Sequence, residues 1–251
     1  MQIIKLGGSA ITKKSGWKNA NSKAIASLAQ AVACAWKKGK RDLVIVHGAG
    51  SFGHALVLKY KIGKGAKNKR EKSAALKTHA ACKKLSSLVV KQLKKKGVKA
   101  ISLSPNRLVS SSMKRIKKFN TKPIFSSLKK GVLPVLHGDM VPDEKLGFSV
   151  CSGDQIVSYL GKKAKRIILA TNVDGILVKG KLVKKITKTN FAKIKRHIKG
   201  AGSPDVTGGM AGKIREIIKA KVPAYIVNAK KPKRLLALLL GKKALCTKIK
   251  F

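Results

Sequence analysis

Short, dense apolar runs alternate along the chain with longer stretches whose apolar residues recur every three or four positions. The dense runs lie at 2–6 (QIIKL), 43–47 (LVIVH), 98–103, 132–136 (VLPVL), 166–170 (RIILA), 224–228 and 244–249, and each predicts a strand. Residues 21–38 show the other pattern. Ile25, Leu28, Val32 and Trp36 stand at helical spacing there, with Asn21 or Ser22 placed as an N-cap. Similar signals predict helices over 73–96, near 123–130, after Ser152-Gly153-Asp154, over 190–198, over 209–221 and over 232–240. Residues 177–186 predict a hairpin turning at Gly180. Residues 59–72 read as a basic loop, 105–122 as irregular, and 200–208 as a Gly/Ser/Pro-rich loop. Strands separated by helices imply an α/β protein with a parallel-rich sheet covered on both faces. No internal repeat or low-complexity linker divides the chain.

Composition changes this picture at one point. The chain has 251 residues and is 44% hydrophobic, enough for a core, yet it carries 58 Lys+Arg against 9 Asp+Glu, a net charge of +49. Such a charge predicts non-specific contact with nucleic acids. The lysines are spread along the whole chain, however, and aromatics make up only 4%, so the stacking groups of a dedicated single-strand reader are poorly supplied. No apolar run approaches the ~18 residues of a membrane span, and Gly7-Gly8 comes too early for a signal-peptide core. Cys34, Cys82, Cys151 and Cys246 lie far apart with no CxxC pair. A reduced, cytoplasmic protein is expected.

The glycines gather where predicted strands end: Gly7-Gly8-Ser9, Gly48-Ala49-Gly50-Ser51-Phe52-Gly53-His54, His137-Gly138-Asp139, Ser152-Gly153-Asp154 and Asp205-Val206-Thr207-Gly208-Gly209. Ligands of open α/β sheets bind at such ends, where glycine lets backbone N–H groups approach phosphate oxygens. Any one pair could be a plain tight turn; their accumulation points to a phosphate-rich ligand. Asp139, Asp154, Asp174 and Asp205 fall in or beside these turns. They would either hold a lysine, a ribose or a magnesium-bound nucleotide, or serve as ordinary turn residues. Gly48 to Gly53 is a literal GxGxxG, but no acid closes a following strand about 20 residues on, which disfavours a dehydrogenase. Gly8 to Ser15 is no P-loop, because Lys13 stands where its second glycine belongs.

Taken together, Lys5-Leu6-Gly7-Gly8-Ser9, Val46 to His54, Ser152-Gly153-Asp154, Thr171 to Ile176, Asp205 to Met210 with Lys213, and Tyr225 to Asn228 resemble the amino acid kinase superfamily. Within it, the segment ending in His54 resembles the isopentenyl phosphate kinases. The resemblance implies a three-layer αβα sandwich with a mostly parallel central sheet, forming one domain over 1–251. Its N-terminal part would take the phosphate acceptor, and its C-terminal part, about 165–251, the nucleotide. It implies transfer from ATP, with Mg²⁺ on the ATP, to isopentenyl phosphate, and a homodimer. Lys5, Lys14 and Lys213 would surround the transferring group, Asp154 would hold lysines by ion pairing, and His54 would bind the acceptor phosphate. Ala49 and Gly153 would assist through backbone N–H groups. Lys5, Leu6, Gly7, Gly8, Ser9, Gly50, Gly209 and Lys213 would face ATP, with Asp174 near the nucleoside or its turn. No protein metal ligand is implied. Another phosphate or phosphonate kinase of the superfamily, or a nucleic-acid-binding protein on a kinase-like scaffold, stays open as an alternative. Ala49 replaces a usual glycine, and its methyl would crowd the phosphate if that position required φ > 0. Cys246 likewise stands where glycine is more usual, a change expected to affect only packing.

Overall fold

The computed structural model describes residues 1–13, 17–198 and 209–250. Its first half runs β1 (Gln2–Leu6), α1 (Gly8–Ile11), α2 (Ser22–Lys37), β2 (Leu43–His47), α3 (Gly50–Lys59), α4 (Lys69–Lys95), β3 (Ala100–Ser102), α5 (Pro105–Leu108), β4 (Val109–Ser112), β5 (Arg115–Phe119) and α6 (Lys122–Lys129). The second runs β6 (Leu133–His137), β7 (Asp139–Asp143), β8 (Gly147–Cys151), α7 (Gly153–Gly161), β9 (Arg166–Thr171), β10 (Leu177–Val178), β11 (Lys181–Leu182), β12 (Lys185–Ile186), α8 (Lys188–Ile198), α9 (Gly209–Ile218), β13 (Ala224–Asn228), α10 (Pro232–Leu239) and β14 (Thr247–Ile249).

Every dense apolar run became a strand of one eight-stranded sheet, ordered β12-β14-β13-β9-β1-β2-β6-β3. The strands from β13 to β3 are all mutually parallel; β14 runs antiparallel to β13, and β12 pairs in parallel with β14 at that edge. Their continuous apolarity follows from burial on both faces. One face packs Leu28 and Val32 of α2, Leu85 and Val89 of α4 and Leu235 of α10 against Ile4, Ile45 and Val135. The other packs Ile124 of α6, Ile156 and Leu160 of α7 and Ile214 and Ile217 of α9 against Ile3, Val44 and Ile167. This is the three-layer sandwich. It brings the carboxyl ends of β1, β2, β6 and β9 side by side, since Leu6 pairs with both His47 and Ala170, and His47 pairs with His137.

Two expectations need correction. Residues 105–122 are not irregular: β4 and β5 form a hairpin that joins β7 and β8 in a second, four-stranded sheet ordered β5-β4-β7-β8. Its turn, Met113-Lys114, has left-handed φ of 50° and 65° without any glycine. The carboxylate of Asp143 holds it, accepting the N–H groups of Met113 at 3.2 Å and Lys114 at 2.9 Å. A turn stabilised by a residue that distant leaves no local signal. The helix expected from 73 begins instead at Lys69. Asn68 and Glu71 form a capping box, and Glu71 accepts the N–H groups of Lys67 and Asn68, which holds its carboxyl below the usual range.

Candidate active site

The glycine turns at the strand ends interlock. Gly48 N–H donates to Leu6 C=O, and Gly138 N–H donates to His47 C=O, each at 2.9 Å, so each turn hangs on its neighbour strand. A methyl at Gly8 would stand 2.5 Å from Gly50 N, and one at Gly48 would stand 2.6 Å from Gly8 N. The two turns touch backbone to backbone, and any side chain there would drive them apart. Gly50 is the residue with positive φ, +51°, and Thr12 fills the space a side chain would need. Thr12 Oγ1 donates to Gly8 C=O at 2.9 Å and accepts Ser51 N–H at 3.1 Å, tying the first turn to α3. Ala49, by contrast, has φ −73° and ψ −24°, ordinary helical values, so its methyl brings no backbone strain. That methyl occupies the space beside Gly53, where a second one would stand only 2.5 Å away.

Lysine and aspartate meet beneath these turns. Lys5 on β1 is 4% exposed and Asp154, in the first turn of α7, is 6% exposed. Lys5 Nζ donates to Asp154 Oδ1 at 2.6 Å. Lys213 Nζ, reaching in from α9, lies 4.0 Å from Asp154 Oδ2. One carboxylate therefore stands between two ammonium groups from opposite halves of the chain. Ser152 caps α7, accepting Gln155 N–H at 3.2 Å, and so fixes where Asp154 points. His54 is half-buried inside α3 rather than in a turn, because the segment from Gly50 onward is already helical. Leu6 and Gly7 are buried, while Ser9 is exposed and its carbonyl accepts Asn172 Nδ2–H at 3.0 Å. Gly153 and Gly209 open α7 and α9. Lys14 and the stretch Asp205 to Gly208 lie outside the described residues.

The remaining acids divide by role. Asp174 accepts Asn228 Nδ2–H at 3.0 Å and pairs with Arg234, and those two partners, Asn228 first, hold its carboxyl below the usual range. It ties the turn after β9 to β13 and α10. Asp139 is buried, accepting His79 Nδ1–H at 3.0 Å, Ser104 Oγ–H at 3.2 Å, and the backbone N–H groups of Asn106 and Met140. It binds α4 and α5 to β7, and among the described residues its ion-pair partners are histidines, not lysines. Sequence reasoning missed Thr247, wholly buried on β14, whose Oγ1 accepts Ile176 N–H at 2.8 Å and donates to Val183 C=O at 2.6 Å. It also missed the buried His47 and His137. Only their place beside the glycines marked them.

The amino acid kinase family model matches residues 1–228. An isopentenyl phosphate kinase of Methanocaldococcus jannaschii is 36% identical, over 96% of this chain and 95% of that one. One from Methanothermobacter thermautotrophicus is 34% identical, over 99% and 98%. A solved isopentenyl phosphate kinase structure is 33% identical and superposes over the full length of both chains with a TM-score of 0.84. The matched span takes in the interlocked turns, the Lys5–Asp154 pair and Lys213, and with them the chain belongs to the amino acid kinase family.

Proposed function

We propose that this chain transfers the γ-phosphoryl group of ATP to isopentenyl phosphate, giving ADP and isopentenyl diphosphate. The observation that carries the reading is the segment from Gly48 to His54. It is folded as a glycine turn running into α3, wedged against Gly8 on one side and beside Gly138 on the other, in a chain alike over its whole length to isopentenyl phosphate kinases. The reaction brings two anions together. Unit charges 4 Å apart repel by about 4 kcal/mol at an effective dielectric of about 20, and each phosphate carries more than one charge. Lys5 and Lys213 supply the counter-charge, and Asp154 fixes both ammonium groups so that none must reorganise during transfer. The acceptor is already an anion, so no general base is needed. His54 donates a hydrogen bond to its phosphate, with the N–H groups of Ala49 and Gly153 beside it. Gly8 and Gly50 are bare because a Cβ on either would fill the space between the two turns, and that closeness suits a backbone cradle for the ATP phosphates. Mg²⁺ riding on the ATP oxygens would neutralise charge between the phosphates. Lys14 is assigned to the same cluster on the family resemblance alone.

Val57 of α3, Ala74 and Ala75 of α4, Ile62 and Met140 pack into an apolar cluster, so a hydrocarbon tail on the acceptor would find apolar neighbours along α3, the helix that carries His54. The whole chain acts as one domain, acceptor in the N-terminal part and nucleotide over about 165–251. No helix among the described residues is long and apolar enough to cross a membrane. Homodimer formation and a cytoplasmic place are inherited from the resemblance, and the +49 charge predicts weak, salt-sensitive contact with nucleic acids. A coupled ADP-release assay tests the substrate. Turnover with isopentenyl phosphate should far exceed that with UMP, acetylglutamate, aspartate or carbamate. Comparable turnover with any of these four overturns the reading.

A further inference from the structure

Beneath the acceptor turns lie two imidazoles that the transfer itself does not use. His47 ends β2 and His137 ends β6. They pair in parallel register, are wholly buried, and stack with ring centroids 5.5 Å apart at 25°. Each Nδ1 faces the carbonyl oxygen of the glycine that follows it: Gly48 at 3.0 Å for His47, Gly138 at 3.2 Å for His137. A carbonyl can only accept, so each Nδ1 carries the hydrogen and each Nε2 is the bare nitrogen. Neither Nε2 has a hydrogen-bond partner among the described residues. Burial, and then the other imidazole, push His47 down to about 3, and burial lowers His137 as well. The lowering favours the uncharged form of both rings.

The peptide unit is planar and trans, so its C=O and N–H point in opposite directions. The carbonyl that His47 holds belongs to the same unit as the Ala49 N–H. Ala49 N and Gly153 N both lie beside Gly138, where a methyl would stand 3.6 Å from the first and 3.3 Å from the second. A flip of this unit would change ψ of Gly48, which glycine tolerates, and φ of Ala49, which its methyl resists; the His47 hydrogen bond adds to the alanine's hold. A flip would turn an oxygen, not a hydrogen, toward an incoming phosphate. Leucine could fill the same buried volume as His47 but could not hold the carbonyl.

We propose that His47 and His137 are positioning residues for the phosphate acceptor. By donating Nδ1–H to the carbonyls of Gly48 and Gly138, they lock the peptide that aims Ala49 N–H and the glycine floor beneath it. The proposal rests on the acceptor assignment made above, and its first readout does not depend on that assignment.

Nitrogen-15 spectra of histidine-labelled protein, with signals assigned by loss in His47→Asn and His137→Asn, report the tautomer directly. Both rings should show protonated Nδ1 and bare Nε2 between about pH 6 and 8. An Nε2–H tautomer or an imidazolium at His47 overturns the proposal. Kinetics give the second readout. His47→Leu should lower kcat/KM for isopentenyl phosphate by about 10²-fold, with the KM for ATP within about twofold. His47→Asn, whose Nδ2 can stand in for Nδ1, should recover about tenfold or more of that loss. Equal activity of the Leu and Asn variants, a Leu variant matching wild type, or an equal rise in the KM for ATP overturns the proposal. Should His47→Leu fail to fold, His47→Asn decides: an Asn variant that also fails to fold, or that falls by the full 10²-fold, sinks the idea. If wild type does not turn over isopentenyl phosphate, the substrate is wrong, while the tautomer result still stands or falls alone.

Discussion

The proposed acceptor and nucleotide sides of the site are held together by different means. Around the acceptor side and the phosphate cradle that adjoins it, backbones meet directly: Gly8 against Gly48 and Gly50, Gly138 against the start of α7, with buried histidines and Asp139 behind them. On the nucleotide side, side chains bridge turns that stay partly in solvent: Asn172 to Ser9, Asn228 and Arg234 to Asp174, with Thr247 as a buried tie. Close backbone contact leaves no slack, because a methyl has nowhere to go. Exposed side-chain ties are screened and replaceable. The acceptor side should therefore be brittle and the nucleotide side tolerant. Asp154 joins the two halves of the chain, pairing with Lys5 of β1 and approaching Lys213 of α9.

Breaking that joint should have the largest effect. Asp154→Ala leaves Lys5 buried and without its carboxylate, a loss of about 3–5 kcal/mol. Both groups are almost wholly buried, so solvent screening takes little from that figure. Thermal melting should show a drop of about 6–20 °C for a chain of this size. Lys5→Met added to Asp154→Ala should recover much of it, because the stranded charge is gone. A single variant that melts like wild type would mean that the ion pair does not secure the junction.

Lys213 tests the chemistry of the nucleotide side without its packing. Lys213→Ala should lower kcat by about 10²-fold, with a smaller change in either KM, because the lost charge is felt mainly in transfer. A near-normal kcat would place Lys213 among the many surface lysines. His54 tests the acceptor side. A charge-assisted hydrogen bond is worth about 1.5–3 kcal/mol, so His54→Ala should lower kcat/KM for isopentenyl phosphate by about 10–150-fold. His54→Gln keeps a donor and should retain more activity than Ala. If ATP binding collapses instead, the two substrates have been placed on the wrong sides.

The main sheet was legible because its strands are buried on both faces and read as continuous apolar runs, from Ile3-Ile4 to Tyr225-Ile226-Val227. The second sheet was not. Ser110 to Ser112 and Lys117-Lys118 carry no apolar run, and their turn is made by Asp143 from another strand. Within the site, the glycines and their neighbouring lysines could be read from position. Which glycine had positive φ could not: it is Gly50, and Ala49 is helical, so the departure at Ala49 costs nothing in backbone strain. His47 and His137 were hidden for another reason. Their roles depend on a hydrogen bond to the next residue's carbonyl, and only coordinates show which way a peptide faces.

The smallest expected effect belongs to Arg234, and it sharpens the contrast most. Asp174 is held below the usual carboxylate range by Asn228 and then Arg234. A depressed folded value adds stability that is present above the ordinary carboxyl range, near pH 4, and is lost as pH falls through the folded value. Any difference in stability between Arg234→Ala and wild type should therefore persist at neutral pH and fade below about pH 4. The pair is partly exposed, so salt should shrink that difference too. At neutral pH, Arg234→Ala should raise the KM for ATP by less than about fivefold, because exposed ion pairs contribute little. At saturating ATP, kcat/KM for isopentenyl phosphate should stay at the wild-type value. If Arg234→Ala lowered it as far as His54→Ala does, the exposed tie would be holding the acceptor turns as well, and the division into a brittle and a tolerant side would fail.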